Sequence, residues 1–237
     1  MLKEFIQSFL NFFDMQIVRY SNTDEFRITS LLENHNIDTI IDCGANNGLY
    51  GKNLRKQGFK GEIISFEPIK KIFESLKGKS QKDKYWSAYN YALGDTNKRS
   101  TINISGNLSS SSLLEILPQH IESEPKSKVI AKEEIEIKSL SSIFDELNLN
   151  NKSIYFKIDV QGFEDKVLDG AEDIISKIKG IQIEMSLVPL YGKSILMPEM
   201  INRMKRYGFE LMGVLPVFWD KSTQQMLQVD GVFFKIK

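Results

Sequence analysis

The chain has 237 residues, with 31 basic and 31 acidic side chains and a formal charge of zero. That length buries a substantial core in one α/β domain, and balanced charge without an extended basic block argues against nucleic acid as the main partner. A single cysteine excludes an intrachain disulfide framework, and no apolar run approaches the ~20 residues of a membrane span.

In chain order, Leu2, Phe5, Ile6, Phe9, Leu10 and Phe13 recur at helical spacing, which predicts an amphipathic first helix suited to core packing or to a dimer contact. Lys3, Glu4 and Gln7 interrupt that stretch, so it lacks the layout of a signal peptide and a cytoplasmic location is expected. A second helix is expected over Asp24 to Asn34. Thr39 to Ile41 then forms a short apolar strand ending in Asp42, turning through Gly44-Ala45-Asn46-Asn47-Gly48 into a helix. A second strand, Ile63 to Phe66, ends in Glu67 and stops at Pro68. A helix from near Ile69 to Gly78 leads to a third strand over Tyr89 to Leu93, ending in Gly94-Asp95, and a hairpin-like continuation runs through Thr101 to Ile104.

The second half keeps this rhythm. Ile154 to Ile158 is apolar apart from Lys157 and ends in Asp159; Ile181 to Ile183 ends in Glu184. Between them Gly162 opens a helix carrying Val167, Leu168, Ala171, Ile174 and Ile175. After a helix near Met200 to Tyr207, Phe209 to Leu215 and Met226 to Lys235 follow with only a short turn between, an antiparallel pair. The expected fold is a doubly wound, mostly parallel α/β sheet whose last strand is reversed.

Asp42, Glu67, Asp95, Asp159 and Glu184 each fall at or just beyond a strand's carboxyl end, the rim where open α/β sheets bind ligands. From Asp42 to Glu67 is one strand-helix-strand unit, and an acid ending its second strand reads as a carboxylate gripping a ribose diol. Dinucleotide sites place a second glycine where this chain has Asn46, because pyrophosphate needs bare backbone. A phosphate-free nucleoside fits better, S-adenosylmethionine being the common one, its carboxylate taking the helix N-terminus near Gly48 and Tyr50. Asn47 as a simple helix cap is the competing reading of this turn. Cys43, after an apolar strand and with no base nearby in sequence, reads as a small buried hydrophobe.

These pieces resemble the FkbM family of S-adenosylmethionine-dependent methyltransferases. The resemblance is carried by Ile41-Asp42-Cys43-Gly44-Ala45-Asn46-Asn47-Gly48, Ser65-Phe66-Glu67-Pro68, Ala92-Leu93-Gly94-Asp95, Ser109 to Leu113, Lys157 to Gly162, Glu184 to Tyr191 and Gln228 to Phe233, in order from Asp38 onward. It implies a class I, Rossmann-like methyltransferase fold with seven strands, and O-methylation of sugar or polyketide-type hydroxyls. The expected division is an N-terminal helical segment over 1–36 and a methyltransferase domain over 37–237, with 105–138 an insertion at the acceptor site. The resemblance also implies that the loop from Asp42 to Gly48 holds the methionine portion of the cofactor. Glu67, followed by Pro68, would take the ribose, Ala92 and Leu93 the adenine face, and Asp95 its amino group.

Asp159 is then the leading general base and Glu184 the second carboxylate. Ser110, Ser111, His120, Gln161 and Tyr191 are candidate contacts to a hydroxyl-bearing, saccharide-like acceptor, although a histidine in a polar loop reads more readily as exposed. Asp159 and Glu184 could share a divalent cation, but no third ligand has the right spacing, so no metal is expected. A homo-oligomer is compatible with the first helix. Two other readings stand beside this one: a nucleotide-dependent oxidoreductase, disfavoured by the missing glycine, and a cofactor-binding module without chemistry.

Overall fold

The computed structural model describes residues 2–13, 15, 19 and 23–236. Helices α1 (Leu2–Phe12) and α2 (Asp24–Asn34) come first. α2 begins where the Thr23 hydroxyl accepts the Phe26 N–H, with Asp24 and Glu25 in its first turn complementing the helix dipole. The stripe of α1 does not pack into the core: Ile6, Phe9 and Phe13 are 38%, 59% and 53% exposed. The side chains of Leu2 and Phe5 lie outside the described residues. No helix among the described residues is long and apolar enough to cross a membrane.

Strands and helices then alternate as β1 (Thr39–Cys43), α3 (Leu49–Lys56), β2 (Glu62–Phe66), α4 (Lys70–Ser80) and β3 (Trp86–Tyr89). An excursion follows through β4 (Ala92–Leu93), β5 (Lys98–Ser105), α5 (Pro118–Ser123), β6 (Val129–Lys138) and α6 (Leu140–Ile143). The chain returns with β7 (Ile154–Ile158), α7 (Glu164–Asp169), β8 (Ile178–Ser186), α8 (Met197–Arg206), β9 (Phe209–Trp219) and β10 (Met226–Lys235). The main sheet has seven strands in the order β3-β2-β1-β7-β8-β10-β9. Only β10 is reversed, pairing antiparallel with both β8 and β9.

Alternate residues of the central strands serve opposite faces. Ile40, Ile63 and Tyr155 cluster with Leu32, Leu54 and Leu76 of α2, α3 and α4. Ile41, Ile64 and Phe156 cluster instead with Leu140, Val167 and Leu168 of α6 and α7. Both faces being covered explains why these strands read as unbroken apolar runs.

Four expectations need correction. Tyr89 to Leu93 is not one strand: Asn90 donates its side-chain amide to the carbonyls of Glu67 and Pro68, 2.9 Å each. The chain therefore leaves the main sheet after Tyr89, and β4 joins a separate sheet of order β4-β6-β5. Asp95 consequently lies off the main rim, paired with Lys98 at 2.9 Å. The helix opened by Gly162 is interrupted, α7 giving way to a 3-10 turn over Glu172–Lys177, and between them a methyl on Gly170 would fall 1.8 Å from the Gly94 carbonyl oxygen. Finally, Glu184 lies inside β8 rather than at its end, because antiparallel pairing continues past Asp230↔Glu184 to Gln228↔Ser186.

Candidate active site

Strand order changes direction at β1, whose neighbours are β2 and β7 in parallel register, with Cys43 level with Phe66 and Ile158. The loops leaving these strands border a cavity of about 350 Å³, within the range of small-molecule sites. Gly44, at φ +76°, lets the loops meet: a methyl there would sit 1.8 Å from the Asp159 carbonyl oxygen. The glycine is thus demanded first by contact between two chain segments.

One half of the cavity is largely apolar, with Phe66, Ile69, Ile72, Ala92, Leu93 and Phe163 in its wall. Glu67 stands at its side, 5% exposed. The Asn46 N–H donates to its Oε2 at 3.0 Å and the Ile69 N–H to its Oε1 at 2.8 Å. Burial nevertheless pushes this carboxyl up to about 7, against the pull of those two N–H groups. Pro68 and Asn46 also line this half.

The other half is polar and centres on two carboxylates. Gln161, held at φ +57°, donates its amide to Asp159 Oδ1 at 2.8 Å and to Glu184 Oε2 at 2.9 Å. Its own Oε1 accepts the Tyr191 hydroxyl at 2.5 Å. Glu164 fixes this loop by accepting the N–H groups of Val160 and Gly162 at 3.0 and 3.1 Å. Burial, reinforced by Asp159 and then Glu164, raises the Glu184 carboxyl well above the usual range, although Gln228 also donates to its Oε2 at 2.6 Å. Burial thus favours the protonated form of Glu184.

Behind Asp159 lies Lys157, inside β7 and 7% exposed. Its ammonium is 3.2 Å from Asp159 Oδ2 and 3.7 Å from Asp42 Oδ1, and stands 5.1 Å over the Tyr50 ring. Burial alone would lower this lysine; Asp159, Asp42 and Asp230 together outweigh it and keep the ammonium charged. Asp42 is wholly buried, with Ser65 donating to its Oδ2 at 3.3 Å.

His120 is buried, not exposed. It lies between the Tyr191 and Phe218 rings, at centroid separations of 5.1 and 5.4 Å, with Nε2 3.3 Å from the Ser110 hydroxyl. Burial lowers its pKa to about 4, so the ring is neutral. The serine run folds its own loop: Ser111 donates to the Leu108 carbonyl at 2.8 Å, and Ser112 to that of Gln161 at 2.6 Å.

The fold thus gathers Gly44, Asn46, Glu67, Pro68, Ala92, Leu93, Ser110, Ser111, His120, Asp159, Gln161 and Glu184 around one cavity. Asp42, Ala45, Gly48, Tyr50, Asp95 and Tyr191 are not in its wall. Asp42 and Tyr50 meet it through Lys157, and Tyr191 through Gln161. Cys43 is wholly buried, its thiol pushed up by that burial. Lys157, Gln228 and Phe218 carry no role in the sequence reading. For Lys157 the signal was present, a lone charge in an apolar strand; Phe218 gave none. Among the described residues no three His, Cys, Asp or Glu side chains are placed to share a metal ion.

An adenosine-type cofactor fits this wall. Each Glu67 oxygen receives one backbone N–H and retains a second lone pair for a hydroxyl, and the apolar half supplies a slot for a flat base.

Residues 42–211 match the methyltransferase FkbM domain. Nothing matches among curated proteins. Among solved structures the chain is similar to methyltransferase FkbM from Methylobacillus flagellatus KT, at TM-score 0.51 and 15% identity, covering 82% of this chain and 43% of that one. It thus spans less than half the length of that protein. It is also similar to a putative S-adenosylmethionine-dependent methyltransferase from Listeria monocytogenes, at TM-score 0.50 and 8% identity, covering 90% of this chain and 97% of that one. Those likenesses show a shared fold, and the domain match across most of the chain shows the kinship: this protein belongs to the FkbM methyltransferase family.

Proposed function

We propose that this chain is an S-adenosylmethionine-dependent O-methyltransferase acting on a hydroxyl of a saccharide or related metabolite. The observation that carries the reading is a single cavity with an apolar half beside Glu67 and a polar half ending on Asp159. The Asn46 to Pro68 wall would hold the ribose through Glu67, and Ala92 and Leu93 would lie along the base. When bound, the cofactor supplies an already activated methyl group.

The protein's own share is positioning and proton removal. Holding the acceptor oxygen in line contributes ~7–11 kcal/mol, whereas a general base contributes 10²–10⁴-fold, roughly 3–5.5 kcal/mol. Positioning dominates. Burial favours the protonated form of Glu184, which suits it to donate a hydrogen bond rather than to take a proton. The acceptor hydroxyl's proton therefore goes to Asp159, held by Lys157 and Gln161.

A panel of glycans and small alcohols, scored by mass for gain of one methyl group, tests the reaction. Asp159→Asn should lower kcat more than it weakens cofactor binding. Wild-type turnover in that variant would place the base elsewhere, and methylation confined to nitrogen acceptors would overturn O-transfer.

A further inference from the structure

The cavity wall contains no lysine or arginine among the described residues, yet four carboxyl groups, those of Glu67, Glu124, Asp159 and Glu184. Glu67 belongs to the cofactor half; the other three face the acceptor. Lys157 stands behind the wall and is already shared between Asp42 and Asp159.

Several neutral donors in this half are also engaged. Gln161 spends its amide on Asp159 and Glu184, Gln228 donates to Glu184, and Asn107 donates to Ser110 at 2.9 Å. Glu124 differs. Its Oε1 accepts the Lys126 N–H at 3.2 Å, while Oε2 has no partner among the described residues. Phe218 adds an aromatic wall, which suits the C–H face of a ring.

A group that only accepts hydrogen bonds and carries negative charge would meet the carboxylates of Glu124 and Asp159 here and no cation in the wall. Hydroxyls and ammonium groups would meet what they need. Resting on the methyltransferase reading, we infer that the acceptor is a non-anionic polyol, an amine-bearing sugar above all, with its ammonium at Glu124. Acceptors carrying phosphate or carboxylate next to the reacting hydroxyl are rejected.

The test uses the full chain saturated with S-adenosylhomocysteine, loading being verified by a thermal shift. Three matched probes are titrated by NMR at pH 7: methyl glucoside, methyl glucosaminide and methyl glucuronide. The amine should bind roughly five-fold tighter than the neutral sugar, since a charge-assisted hydrogen bond is about twice as strong as a neutral one. The glucuronide should bind weakest, and added salt should shrink the spread. Glu124→Gln keeps an oxygen for Lys126 and should erase the amine's lead without altering affinity for S-adenosylhomocysteine. A glucuronide binding as tightly as the glucoside would overturn the inference, as would an amine preference that survives Glu124→Gln. Failure of all three probes on loaded protein would also overturn it. Absence of the thermal shift would instead strike the cofactor reading, and the acceptor inference would fall with it.

Discussion

Lys157 shows how one residue couples stability to the site. Its ammonium lies between two carboxylates, one of them wholly buried, so Lys157→Met would leave Asp42 as an uncompensated interior charge. Removing one partner of a buried pair typically costs about 3–5 kcal/mol, more than the pair itself contributes. Urea denaturation should show a loss of that size, and Asp42→Asn added to Lys157→Met should recover part of it. Additive losses in the double variant would show that the two groups do not interact. Glu67 makes a second prediction at this scale. With its carboxyl pushed up to about 7, it exchanges its proton in the working range, and only the ionised form offers every lone pair to ribose hydroxyls. Affinity for S-adenosylhomocysteine should therefore rise between pH 6 and 8, by up to about tenfold per unit below the pKa. Glu67→Gln should bind more weakly and without that slope. A wild-type affinity flat across this window would remove Glu67 from the ribose.

At the scale of elements, α5 seats His120, a neutral ring edge-on to Tyr191 and tilted against Phe218. A folded pKa of about 4 against an unfolded value near 6.5 means that, between those values, the unfolded chain binds a proton the native state does not. Stability from this group is thus full above ~6.5 and is lost as pH falls toward 4, by about 3 kcal/mol in all. Glu67 and Glu164, both raised to about 7 by burial, act oppositely, since they bind protons in the native state first. The histidine's share is therefore read as a difference. His120→Phe keeps an aromatic ring, and its melting temperature relative to wild type should rise as pH drops from 6.5 to 4.5. A constant difference would mean that His120 titrates normally.

The same elements show what sequence could and could not supply. β1, β2 and β7 were visible because both faces are covered, leaving apolar runs ended by acids. The reversed β10 was visible because no helix separates it from β9. Asn90 could not announce that it would break a strand, since its partners are the carbonyls of Glu67 and Pro68, more than twenty residues away in sequence. Nor could His120 announce its burial, because the rings enclosing it come from Tyr191 and Phe218. The half beside Glu67 was legible from local turns; the half around Asp159 depends on contacts between distant segments.

For the whole molecule, the cavity joins both halves of the chain: β1 and β2 supply the Gly44 and Glu67 loops, while β7, β8 and β10 supply Asp159, Glu184 and Gln228. A ligand filling it would bind only the assembled sheet. Such a ligand at 100 times its dissociation constant stabilises the native state by ~2.7 kcal/mol. For a domain of this size, each kcal/mol moves the melting temperature by roughly 2–4 °C, so S-adenosylhomocysteine should raise it by about 5–10 °C. NAD should do much less, because Asn46 stands where a pyrophosphate needs bare backbone, and its side chain is engaged with the Asn47 N–H at 2.6 Å. Equal shifts with the two ligands would mean that the turn after β1 does not discriminate against phosphate. A shift with NAD alone would reassign the cavity to a dinucleotide. The Glu67→Gln variant completes the measurement: because that carboxylate also fastens Asn46 and Ile69, it should lower both the starting melting temperature and the ligand-induced rise, whereas a purely structural Glu67 would lower only the first.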